Sequence, residues 1–104
     1  MSYKILRTDK AEDQLRNIIY YIEEVSGGAD IALVYLSRLK KAMLDPEVFL
    51  NDGIKPKYSI LRKQGYFVLM IEKHLVFYKI DVRNQDIIIY SIVQGKREYR
   101  NLVQ

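Results

Sequence analysis

The chain has 104 residues, 49% of them hydrophobic, with no cysteine and a net charge of +4. That length fits one domain around one core, and the absence of cysteine excludes disulfides and thiolate metal sites. No apolar run is long enough to cross a bilayer. The start, Met1-Ser2-Tyr3-Lys4-Ile5, lacks the apolar centre of a signal peptide, so a cytoplasmic protein is expected.

The charge is unevenly divided. Residues 1–52 hold 7 Lys/Arg and 9 Asp/Glu, whereas residues 53–104 hold 10 and 4. A basic C-terminal half suits a nucleic-acid, ribosome or acidic-protein partner, and equally suits a basic surface that serves solubility alone. No repeat, low-complexity tract or linker divides the chain, and residues 1–104 are expected to form a single domain.

Tyr3 to Arg7 reads as a first strand. Thr8 and Asp9 offer N-cap oxygens, with Glu12 at capping-box spacing from Asp9. Ala11, Leu15, Ile18, Ile19, Ile22 and Val25 then mark one face of a helix, which Ser26-Gly27-Gly28 ends. A second helix is expected from Asp30 to Leu44, with a core stripe of Ala32, Tyr35, Leu36, Leu39, Ala42 and Met43. Asp45-Pro46 stops it. Ile31, Leu33 and Val34 lie outside the stripe, more apolar surface than one helix face needs, and are candidates for contact with a partner chain.

After a loop holding Asn51-Asp52-Gly53 and Pro56, four strands are expected: Tyr58–Leu61, Tyr66–Glu72, His74–Ile80 and Asp86–Val93, rich in β-branched and aromatic residues. Gln64-Gly65 and Asp81 to Gln85 supply the turns. The later strands are almost continuously apolar, as in strands covered on both faces, and two helices cover only one. The expected order is β-α-α-β-β-β-β, an α+β domain with an antiparallel helical hairpin packed on a mainly antiparallel sheet. If the last strand returned beside Tyr66–Glu72, Arg97 and Arg62 would share one end of the sheet.

Chemistry-bearing motifs are few. One histidine, no cysteine and no clustered carboxylates make a metal site unexpected, and no cofactor is expected. His74 reads as structural, with a hydrogen bond at a strand start. Most of the nine tyrosines should be core or edge residues with a wet hydroxyl. There is no phosphate-binding glycine loop, nucleophile elbow or helix-turn-helix spacing.

Leu61-Arg62 followed by Gly65-Tyr66, then His74-Leu75-Val76-Phe77-Tyr78 with Ile80-Asp81, then Ile92, Gly95, Lys96-Arg97-Glu98 and Leu102, resemble in order and spacing the RelE/ParE toxin superfamily over nearly the whole chain. The resemblance implies the toxin of a type II toxin–antitoxin pair, wrapped by a small antitoxin that carries any operator-DNA binding. Ile31, Leu33 and Val34 then become candidate antitoxin contacts. Two targets are implied: DNA gyrase for ParE-like members, and messenger RNA in the ribosomal A site for RelE-like members. A basic protein-binding adaptor without toxicity is a third alternative.

Metal-free RNA cleavage needs a base, an acid and stabilisation of the phosphorane charge. The resemblance to RelE-like nucleases assigns those tasks to Lys55, Lys57 and Arg62, with Tyr99 as a displaced acid. This sequence departs from that pattern. Leu69 and Met70 stand mid-strand where several nucleases carry arginine, and Gly95-Lys96 stands where some carry a His-Tyr pair. These departures favour the ParE-like side, with Arg62, Lys96, Arg97 and Arg100 as target-binding candidates.

Overall fold

Thr8 starts the first long helix because its extended backbone leaves the side chain free to accept the Ala11 N–H at 3.2 Å. Glu12 does not complete a capping box and pairs with Arg7 instead. In this computed structural model, which describes residues 3–95, the elements are β1 Lys4–Arg7, α1 Asp9–Ser26, α2 Ala29–Ala42, α3 Pro46–Asp52, α4 Ser59–Lys63, β2 Phe67–Ile71, β3 His74–Asp81 and β4 Asp86–Gln94. Gly27 (φ 75°) closes α1, a left-handed position that favours glycine. The short link forces α2 back along α1 as a hairpin.

The sheet order is β1-β4-β3-β2, with β1 parallel to β4 and the other pairs antiparallel. One face meets the helices. Ile87, Ile89 and Ile92 of β4, Val76 and Tyr78 of β3, and Leu69 and Ile71 of β2 pack against Ala11, Leu15, Leu39, Met43 and Phe49. Each large side chain fully buried there stabilises the fold by about 1.5–3 kcal/mol. The outer face buries Val68, Leu75, Phe77 and Val93, with Leu61 and Tyr66 packed on them, so part of its cover comes from the chain itself.

Two expectations about secondary structure are corrected. Tyr58–Leu61 is not a strand; residues Ser59–Lys63 form α4. The free edge of β2 is already occupied, because Ile54 and Val68 exchange two backbone hydrogen bonds of 3.0 and 2.8 Å. The segment that follows coils and sets Leu61 on the outer face. The loop expected after Asp45 is helix α3. Asp45-Pro46 ends one helix and begins the next, with the Asp45 carboxylate accepting the Glu47 N–H at 3.0 Å and Pro46 in the first turn, where it needs no N–H partner.

A β-bulge displaces β4. Phe77 pairs with Ser91 but Tyr78 pairs with Ile89, so Tyr90 is the extra residue. The alternation resets there, and Tyr90 and Ser91 both line the outer face. The last strand lies between β1 and β3, not beside Phe67–Ile71. The Gly95 N–H reaches the Lys73 carbonyl at the β2–β3 turn, while Arg62 precedes the opposite end of β2. The shared end expected for Arg62 and Arg97 therefore has no basis in the sheet order. Arg97 itself, with Lys96, Tyr99 and Arg100, lies outside the described residues.

Candidate functional site

Two surfaces concentrate side chains beyond what the core requires. The first is a groove of about 600 Å³ between the helical hairpin and the β2–β3 turn. Tyr21 and Val25, toward the end of α1, are exposed. Ile31 and Val34, one helical turn apart on α2, line the groove and are 56% and 57% exposed. Leu33 is equally exposed but does not line it. The three residues expected to carry surplus apolar area thus do so, and two of them share one concave surface.

The groove floor is polar and ordered. Tyr35 Oη and His74 Nδ1 are 2.7 Å apart, and the rings meet edge-on at 5.7 Å. The Lys73 N–H approaches the same hydroxyl at 3.4 Å. All three groups are satisfied when Lys73 donates to Tyr35 and Tyr35 donates to a neutral imidazole protonated on Nε2. Burial lowers the His74 pKa, which keeps the ring neutral, and burial raises that of Tyr35. His74 is held as a brace at the start of β3, as its place in the sequence suggested. Arg38 and Glu72 face each other at 3.8 Å beside this floor.

The second surface is the outer sheet face. Tyr66 and Tyr90 meet edge-on at 5.4 Å, and Lys79 Nζ lies 4.6 and 5.2 Å from their ring centroids. A cavity of about 310 Å³ adjoins them, lined also by Lys10, Gln64 and Ser91. Sequence reasoning filed these tyrosines with the core and edge residues and passed over Lys79. The signal available was a lysine interrupting an otherwise apolar strand; the bulge that re-aims Tyr90 and Ser91 leaves no such mark.

Of the residues assigned to RNA cleavage, Lys55, Lys57 and Arg62 lie in and beside the loop before α4, and Tyr99 lies outside the described residues. Arg62 Nη1 donates to the carbonyls of Pro56 at 2.9 Å and Lys57 at 2.6 Å, bracing the loop before α4. Lys55 and Lys57 are exposed on that loop. Leu69 turns into the core, so a cation at that position would be buried, whereas Met70 is exposed at the middle of the strand. Among the described residues no group of three His, Asp or Glu side chains is placed to hold a metal ion, and no helix is long and apolar enough to cross a membrane.

A helical hairpin thus covers one face of a small mixed sheet in an α+β fold, and the opposite face carries Tyr66, Tyr90 and Lys79 beside an apolar cluster. The chain is similar to a chain of the chromosomal ParDE toxin–antitoxin system from P. aeruginosa, with a TM-score of 0.70, 17% identity, and coverage of 90% of this chain and 97% of that one. It is also similar to a chain of the RelBE2 toxin–antitoxin complex from Mycobacterium tuberculosis, with a TM-score of 0.65, 14% identity, and coverage of 90% and 99%. Identities this low speak for the fold. No curated protein matches the chain in sequence. The family model described as the ParE toxin of the type II toxin–antitoxin system parDE matches residues 5–99, and the chain belongs to that family.

Proposed function

We propose that this toxin arrests growth by acting on DNA gyrase rather than by cutting messenger RNA, and that a cognate antitoxin neutralises it by laying an amphipathic helix in the hairpin groove. The observation that carries the choice of target is Arg62. Its guanidinium is tied to two main-chain carbonyls, and the centre of β2 offers Leu69 and Met70 in place of a cation. Phosphoryl chemistry without a metal depends on positioned charge, and this chain has little to position there. Lys96, Arg97 and Arg100 supply the target-binding charge in this reading. Arginine grips a carboxylate or phosphate with two parallel hydrogen bonds that lysine does not reproduce.

The groove supports the antitoxin half of the reading. Ile31 and Val34 repeat at helical spacing beside Tyr21, a surface suited to a helix with one apolar face. The test is induction with and without the neighbouring gene, with gyrase-linked DNA breaks and RNA ends mapped side by side. DNA breaks without codon-locked cleavage are expected, lost in Arg97→Ala and restored in part in Arg97→Lys. Sharp A-site cuts that disappear in Lys57→Ala, in a protein that still melts normally, would instead establish the ribosome as the target.

A further inference from the structure

We propose that the outer sheet face carries a binding site for a nucleobase with its adjacent phosphate, built from Tyr66, Tyr90, Lys79 and Lys10, and that a single nucleic-acid strand occupies it. The argument begins with what these side chains lack. Among the described residues neither Lys79 nor Lys10 has a carboxylate within ion-pair distance. No acidic residue lines the adjoining cavity; Gln64 offers an amide there, while the Thr8 hydroxyl is engaged with Ala11 and Tyr90 and the Ser91 hydroxyl with Gln14. Both tyrosines are half-buried, so each ring is fixed on one side and open on another.

The bulge is the second observation. A regular strand would send Tyr90 and Ser91 to opposite faces; the inserted residue turns both outward beside Tyr66 and Lys79. Strand irregularities of this kind recur next to functional sites because they re-aim side chains. Thr8 holds the irregularity in place, its hydroxyl donating to the Tyr90 carbonyl at 3.3 Å.

The chemistry of the pair selects the ligand. An ammonium over an exposed aromatic ring is weakly held, and Lys79 is anchored by nothing stronger. A base stacked on the tyrosines displaces the ammonium from the rings, and the freed ammonium meets the phosphate beside that base. Aromatic platforms flanked by lysines bind single strands in this way, with little sequence preference, because every base has a π-face. Duplex DNA keeps its bases stacked on one another and gains only the phosphate term.

The site goes beyond the gyrase reading and is tested without gyrase or ribosome, so either idea can fail alone. Fluorescence anisotropy of purified toxin would be measured with labelled oligo(dT) and oligo(U) strands of about eight nucleotides, with UMP and duplex DNA as competitors. Expected are strand binding that weakens with salt, a loss of about tenfold in Tyr66→Leu or Tyr90→Leu, and a salt slope smaller by about 0.7 in Lys79→Gln. Melting curves report whether each variant folds, and Lys79→Gln, at a partly exposed position of β3 outside the core clusters, keeps the test alive if a tyrosine variant does not. Displacement by UMP only at far higher concentration identifies a strand; equal displacement per site identifies a free nucleotide on the same chemistry. Absence of strand binding by wild type, or binding that all three substitutions leave intact, would overturn the assignment.

Discussion

The Tyr78 hydroxyl, with no solvent exposure, donates a 2.6 Å hydrogen bond to the Phe49 carbonyl and so ties the centre of β3 to helix α3. The two rings also meet edge-on at 4.9 Å. Gly53, just past the end of α3, completes the arrangement: a Cβ there would stand 1.5 Å from the Tyr78 hydroxyl. A short helix with little intrinsic stability is thereby fixed by one buried polar contact and one missing side chain.

Tyr78→Phe should destabilise the toxin by about 1–3 kcal/mol, since it strands a buried carbonyl, and Gly53→Ala should cost at least about as much through overpacking. Burial first, and Asp52 second, push the Tyr78 pKa up to about 12 from 10.0. The folded state thus holds its proton more tightly than the unfolded chain. The resulting stability is complete below pH 10 and declines as pH rises from 10 toward 12. Chemical denaturation across that range should show a steeper loss in wild type than in Tyr78→Phe. Equal slopes would mean that Tyr78 does not carry the effect.

Gln14 joins α1 to the bulge. Its Oε1 accepts the Ile92 N–H at 2.8 Å and the Ser91 hydroxyl at 3.1 Å, serving the β4 edge where β1 no longer runs alongside. Gln14→Leu leaves a backbone N–H without that partner, and a loss of about 1–3 kcal/mol is expected. Gln14→Glu keeps an acceptor and should lose less. Hydrogen exchange at Ile92 reads the contact directly, and unchanged protection in Gln14→Leu would show that another group satisfies the amide.

Much of this architecture was legible in the sequence, and the exceptions share a cause. The α1 and α2 stripes, the α+β class and the exposed Ile31, Leu33 and Val34 follow from periodicity, because apolar spacing reports directly on which face is buried. Helix α4 was not legible. Tyr58–Leu61 has strand-like composition, and the bridge of Ile54 to Val68 at the β2 edge is a tertiary contact that no local pattern announces. The bulge at Tyr90 was invisible for the same reason, since a one-residue slip depends on the neighbouring strand. Arg62 looked like a free cation because its partners are main-chain carbonyls, which no residue pattern announces. Tyr35 could be placed on the core stripe but not opposite His74, 39 positions away.

His74 gives a prediction with a fixed sign. Burial lowers its pKa below the ordinary 6.5, so the unfolded chain takes up the proton first as pH falls. Stability is full above about pH 6.5 and is lost progressively below it. Asp30, Glu72, Arg38, Lys73 and Tyr35 line the same groove, and none of the four charged groups is in direct ion-pair contact with the imidazole. Melting temperatures of wild type and His74→Gln should converge between pH 7.5 and pH 5. A wild type whose melting is insensitive to that range would show that the imidazole is solvated rather than buried.

Val34 separates neutralisation from toxicity. It is 57% exposed on α2 and lies in the groove one turn from Ile31, so replacing it disturbs no core contact. Val34→Glu should therefore shift fold stability by no more than about 0.5 kcal/mol, as surface substitutions do. An apolar helix face laid on this groove would meet a buried carboxylate with no partner, and the antitoxin affinity should fall by tenfold or more, a loss of about 1.4 kcal/mol. The target surface proposed for Lys96, Arg97 and Arg100 should be untouched. Co-expression of the Val34→Glu toxin with its antitoxin should arrest growth where the wild-type pair does not, and calorimetry should report weakened binding. Leu33→Glu, equally exposed but outside the groove, is the matched control and should remain neutralised. If both variants escape the antitoxin, the partner wraps the hairpin on both sides. If neither does, it binds elsewhere, and the groove has another occupant.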